Sequence, residues 1–122
     1  MNIPNNHQAV MPYLMLDEPE KFIDFVEKIF AATISAKHLS PEGKVQHCEA
    51  NIKGSTLMFS GTTMDWKAET SNLFVYVDDV DETYENALSF GAISIMGVSD
   101  QSYGRTCGVK DPCGNVWWIT TV

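Results

Sequence analysis

Apolar and polar positions alternate between two rhythms along this chain, and the same sequence of rhythms occurs twice. Tyr13-Leu14-Met15-Leu16 is a short apolar run that reads as a strand. Asp17-Glu18-Pro19-Glu20 follows. Asp17 is predicted to cap a helix, with Pro19 in its first turn and Glu20 three residues after the cap. Phe22, Val26, Ile29 and Phe30 then recur at helical spacing, and Ile23 and Phe25 widen the stripe. Ala31-Ala32 ends the segment. In the second half, Leu73-Phe74-Val75-Tyr76-Val77 is a β-prone run. Asp79 stands three residues before Glu82, the spacing of a capping box. Val80, Tyr84, Ala87 and Leu88 form the next helical stripe, and Gly91 sits where a helix takes a left-handed residue.

The halves align at a nearly constant offset of about 60 positions: Phe30-Ala31-Ala32 falls on Phe90-Gly91-Ala92, and Leu57-Met58-Phe59 on Trp117-Trp118-Ile119. Three further strands are predicted after each helix. In the first half they run from Thr33 to Leu39, Val45 to Ile52 and Thr56 to Phe59, separated by turns at Pro41-Glu42-Gly43 and Lys53-Gly54. In the second half they run from Ile93 to Val98, Arg105 to Lys110 and Val116 to Thr121. The polar stretch Ser99 to Gly104 and the turn Asp111-Pro112-Cys113-Gly114-Asn115 separate them. The expected fold is α+β, two tandem βαβββ modules at about residues 9–62 and 71–122, within a single domain of residues 1–122.

Composition narrows the partners. The formal charge of -8 opposes nucleic acid, which selects basic surfaces. No apolar run approaches the roughly 20 residues of a membrane span. The polar stretch Met1 to Gln8 lacks the pattern of a signal peptide, so a cytoplasmic location is expected, with no membrane partner. Cys48, Cys107 and Cys113 are odd in number and form no Cys-x-x-Cys pair, which fits reduced, structural thiols.

The helix Phe22 to Phe30, the stretch Val77-Asp78-Asp79-Val80-Asp81 and the closing Tyr103-Gly104-Arg105, Asp111-Pro112-Cys113-Gly114-Asn115 and Val116-Trp117-Trp118 resemble the vicinal oxygen chelate (glyoxalase and bleomycin-resistance) superfamily. Val45 to Ala50 with Leu57 to Ser60 is similar to its PhnB-like branch. The resemblance implies a curved mixed sheet and a homodimer. Metal-dependent members of that superfamily take ligands from the first and fourth strand of each module. The matching positions here are Met11, Met58, Asn72 (or Ser71 if the register slips by one) and Trp118. Two thioethers, an amide and an indole do not make a site for a hard divalent ion, so no metal and no other cofactor is expected.

Several side chains remain as candidates. His47 and Glu49 point the same way from one strand and could form an oriented base, or simply a bonded pair on the sheet. His7 and His38 read as surface residues. Trp117 and Trp118 are adjacent, so they face opposite sides, and Trp118 either lines a binding groove or fills it. Trp66 lies in a polar connector, packed at an interface or tucked back on its own domain. Met11, Met15, Met58, Met64 and Met96 serve by default as core filler, or alternatively line an adaptable pocket. Tyr103 and Arg105 flank the final hairpin and could touch a ligand.

The ligand-binding set read from the sequence is therefore Met11, His47, Met58, Asn72, Tyr103, Arg105 and Trp118. The function it implies is sequestration of a small, partly aromatic compound, with cationic ones favoured by the acidic balance. The alternative is a lyase, isomerase or dioxygenase-like enzyme with a non-standard site around His47 and Glu49.

Overall fold

The computed structural model describes residues Met1–Val122. They form two compact units, Met1–Thr70 and Ser71–Val122. The first contains β1 (Tyr13–Leu16), α1 (Pro19–Phe30), β2 (Thr33–Leu39), β3 (Val45–Ile52) and β4 (Ser55–Gly61). The second contains β5 (Asn72–Tyr76), α2 (Val80–Ser89), β6 (Ile93–Gln101), β7 (Gly104–Lys110) and β8 (Val116–Thr121). Each unit is thus the βαβββ module expected from the repeat.

The sheets have matching orders, β1-β4-β3-β2 and β5-β8-β7-β6. In each, the first strand pairs parallel with the last and the other pairs are antiparallel. Strand alternation puts one face of each sheet against its helix. In the first unit Leu14, Leu16, Cys48, Ala50 and Phe59 are buried there against Phe22, Phe25 and Val26 of α1. Phe22 and Phe59 meet edge to face at 4.8 Å. In the second unit Val75, Cys107, Val109, Trp117 and Ile119 pack against the α2 side, where Val80 and Ala87 are buried.

Asp79 caps α2 as expected, its Oδ1 accepting from the Glu82 amide at 3.1 Å. Asp17 does not cap α1. Glu18 occupies the cap position without a side-chain bond, Pro19 opens the helix, and Asp17 Oδ1 instead accepts from the Thr62 hydroxyl at 3.0 Å. Proline lacks an N–H, which lowers the need for a cap at that end. The helix ends also differ. Ala31 closes α1 at φ +53°, whereas Gly91 takes the positive φ after α2. Strand β6 runs on into the predicted separator because Asp100 pairs with Arg105 across the hairpin.

The Asp111 turn is a structural knot. Asp111 is buried, and its Oδ1 accepts from the amides of Cys113 at 2.8 Å and Asn115 at 3.0 Å. Its Oδ2 accepts from Asn115 Nδ2 at 3.1 Å and Trp117 Nε1 at 2.8 Å. Asn115 Oδ1 in turn accepts from the Ser71 amide. No helix is long and apolar enough to cross a membrane.

Candidate functional site

The face of each sheet turned away from its helix carries the candidate residues other than Arg105, and the strand registers match the two faces position by position. In the first unit Met58 lies between Tyr13 and Glu49, and Ser60 between Met15 and His47. In the second, Trp118 lies between Phe74 and Gly108, and Thr120 between Tyr76 and Thr106. The pairing confirms Met58 and Trp118 as counterparts. Met11 and Asn72 match as well, each two residues before the aromatic that opens the set.

The first face is a hydrogen-bonded chain. Glu49 is largely buried, and its Oε1 accepts from His7 Nε2 at 2.8 Å while its Oε2 lies 3.3 Å from His47 Nε2. The His7 bond first, and the His47 bond after it, hold the Glu49 carboxyl below its ordinary value against the effect of burial. On the far side of His47, Nδ1 lies 3.4 Å from the Tyr13 hydroxyl, which is 2.8 Å from Ser60 Oγ. His7 is therefore not a free surface residue. It belongs to an N-terminal arm that Gln8 also fixes, exchanging two bonds with the Thr56 backbone at 2.8 and 3.3 Å. The Thr56 hydroxyl bonds the Asn6 carbonyl. His38 is exposed, as expected.

A cavity of about 860 Å³ opens at the Tyr13 and Ser60 end of this face. Met15 and Trp66 give it apolar wall, and Glu20, Glu42 and Lys44 give it charged rim. Trp66 is 65% exposed rather than tucked in. Its loop is held by paired bonds, with the Trp66 amide donating to Thr63 Oγ1 and its carbonyl accepting from the Thr63 amide. The methionines are not core filler. Met11, Met15, Met58 and Met96 are half-buried and Met64 is exposed. The outward side of a strand and the loops hold them where a core position would hold Leu or Phe.

The second face is aromatic. Phe74 and Tyr76 are about half exposed and meet at 5.1 Å between ring centres, and Phe74 lies 6.4 Å from Tyr103. Trp118 Nε1 donates to Asn72 Oδ1 at 3.1 Å. Its ring lies over Gly108, where an added Cβ would come within 2.5 Å of it. Sequence reading named Asn72, Tyr103 and Trp118 as candidates, and the structure places them on or beside this face. It missed Phe74 and Tyr76, although alternation within Leu73–Val77 already placed them on the Trp118 side. It also missed Tyr13, Ser60 and His7, whose partners lie far along the chain.

Arg105 does not join the aromatic face. Its guanidinium forms a bidentate pair with Asp81 of α2 at 2.9 and 3.0 Å and a third bond to Asp100. Asp81 is held low by this arginine. Burial pushes Cys107 up to about 11 and raises Cys48 as well, which suits structural thiols.

The residues at the matching metal-ligand positions do not fit a hard ion. Met11 and Met58 offer thioethers, Trp118 offers only an N–H, and the one amide oxygen, of Asn72, already accepts from Trp118. No three His, Cys, Asp or Glu side chains are arranged to hold a metal ion.

Residues 7–119 match the Glyoxalase/Bleomycin resistance protein/Dioxygenase superfamily. The chain is 30% identical to the protein Mb0911c of Mycobacterium bovis, over 93% of this chain and 82% of that one. It resembles the crystal structure of TioX from Micromonospora sp. ML1 with a TM-score of 0.74 at 20% identity, covering 94% of this chain and 96% of TioX. TnmS3, an antibiotic binding protein from Streptomyces sp. CB03234, superposes with a TM-score of 0.68 at 20% identity, covering 94% and 98%.

Proposed function

The chain belongs to the glyoxalase/bleomycin resistance protein/dioxygenase superfamily, and from that premise we propose that it binds and sequesters a small, planar, partly aromatic compound without using a metal. The observation that carries this reading is the aromatic face of the second sheet. Phe74, Tyr76 and Tyr103 stand about half exposed beside a Trp118 whose ring is fixed by Asn72 and Gly108. Rings left open to solvent on a rigid sheet are suited to stacking, at about 0.5–1.5 kcal/mol per aromatic pair beyond burial. A fixed indole loses little freedom when a ligand arrives. The net charge of -8 favours a cationic compound over an anionic one. The antibiotic binding protein TnmS3 shares the fold, which supports the class of ligand but not its identity. In this reading the protein works as a cytoplasmic homodimer.

Ethidium, a planar aromatic cation, is the direct probe. Titration of the native protein is expected to quench tryptophan emission saturably, with Trp118→Ala weakening binding about tenfold or more. Unchanged emission throughout the titration contradicts the reading. Elemental analysis of protein purified without chelator is expected to find no stoichiometric transition metal.

The bonded His47–Glu49 pair supports the second reading, an enzyme of the lyase or isomerase type with His47 as base. In that case a ligand would be chemically altered on incubation, whereas a sequestering protein returns it unchanged.

A further inference from the structure

The bonding on the first sheet has a direction, and Glu49 sets it. Its carboxylate only accepts hydrogen bonds, so His7 and His47 both present a protonated Nε2 to it. A neutral His47 with its proton on Nε2 offers Nδ1 as an acceptor. The Tyr13 hydroxyl stands 3.4 Å from that nitrogen and 2.8 Å from Ser60 Oγ, and its single proton is best placed on Nδ1, because only then do the imidazole, the phenol and the serine each have a partner. Ser60 Oγ, at 2.8 Å, then donates to Tyr13. The phenol oxygen is left with acceptor capacity and no proton to give. Tyr13 is 49% exposed, and both it and Ser60 line the cavity of about 860 Å³ in this unit.

We propose that this cavity recognises a phenolic hydroxyl on the planar ligand, whose O–H donates to Tyr13 Oη. Glu49 and His47 act as positioning residues that keep the tyrosine an acceptor. A ligand offering a carbonyl or ether oxygen at that point would meet another oxygen with no proton between them, which disfavours it. Met15 and Trp66 supply apolar wall for the ring that carries the hydroxyl. The inference rests on the small-molecule reading above and specifies its chemistry, using a different unit from the aromatic face.

The test compares umbelliferone, a planar phenol kept below its own pKa so that it holds its proton, with its O-methyl ether, in which a methyl replaces the donor. The native protein is expected to bind umbelliferone about 3- to 10-fold tighter, the range of one net hydrogen bond. Tyr13→Phe should remove the preference by weakening umbelliferone alone. Glu49→Ala, which leaves His47 Nε2 without its acceptor, should reduce it and, in nitrogen NMR, move the His47 proton off Nε2, a change that a merely structural role for Glu49 would not cause. Equal binding of the two coumarins, or a preference that survives Tyr13→Phe, overturns the inference and leaves the ligand-binding reading standing. Binding of neither coumarin also overturns it, and the ethidium titration then decides separately whether the broader reading falls.

Discussion

Where the first sheet sets Met58 between Tyr13 and Glu49, the second sets Trp118 between Phe74 and Gly108. The frame is the same and the chemistry is different. A carboxylate in one unit projects from the position that a glycine leaves bare in the other. The carboxylate organises two histidines and a tyrosine through directional bonds. The bare glycine lets an indole lie against the strand and show its other face. A duplicated module is free to change where its register does not depend on the side chain. The helix-facing positions, Leu14 and Phe59 in one unit and Val75 and Ile119 in the other, stay apolar because they fix the register. The outward positions carry no such demand, so one face became a hydrogen-bonding surface and the other a stacking surface.

The largest expected break in the comparison is at the last turns. Asp111→Ala strands the buried donors of Asn115 and Trp117 and the half-buried Cys113 amide, and should cost about 3 kcal/mol or more in denaturant unfolding. Its counterpart Asn51 accepts from the Gly54 amide in an exposed turn and donates to the Thr56 hydroxyl, which keeps a second partner in the Asn6 carbonyl, so Asn51→Ala should cost less, about 1–2 kcal/mol. Next is Gly108→Ala, whose new methyl displaces the Trp118 ring. It should destabilise by about 1–3 kcal/mol and weaken ethidium binding, while leaving the umbelliferone preference of the first unit intact.

A smaller effect separates the units by pH. Glu49 has a lowered folded-state value, chiefly through His7, so its pairing stabilises fully at neutral pH and is lost as pH falls through the carboxylate range. Native protein should therefore lose stability more steeply below about pH 4.5 than Glu49→Gln, as followed by thermal unfolding at each pH. The smallest effect makes the helix ends alike. Ala31→Gly relieves a positive φ that Gly91 already accommodates in the second unit, and should raise stability by about 0.5–1 kcal/mol.

The repeat made most of the fold readable, because period-2 and period-3.6 patterns report which face is buried. Those patterns located both helices and all eight strands to within three residues at any end. What they do not report is which outward side chains meet. His7 reaches Glu49 across 42 positions, and Tyr13 reaches Ser60 across 47. The parallel pairing of first and last strands sets the Tyr13–Ser60 bond and an arm ahead of β1 sets the His7–Glu49 bond, and no local pattern reveals either. Arg105 misled for a related reason. It looked available beside Tyr103, but alternation turns it toward Asp81 of α2. Trp118 and Asn72 were legible because the repeat itself marked their positions, and Asp17 misled because Pro19 had already met part of the helix's need.

The central claim is that Trp118, and not its buried neighbour Trp117, meets the ligand. Indole N–H resonances of nitrogen-labelled protein test it most directly during an ethidium titration. The Trp118 signal is expected to shift progressively and saturably while the Trp117 signal, locked on Asp111, stays in place. A Trp118 resonance that does not move at saturating ethidium would contradict it.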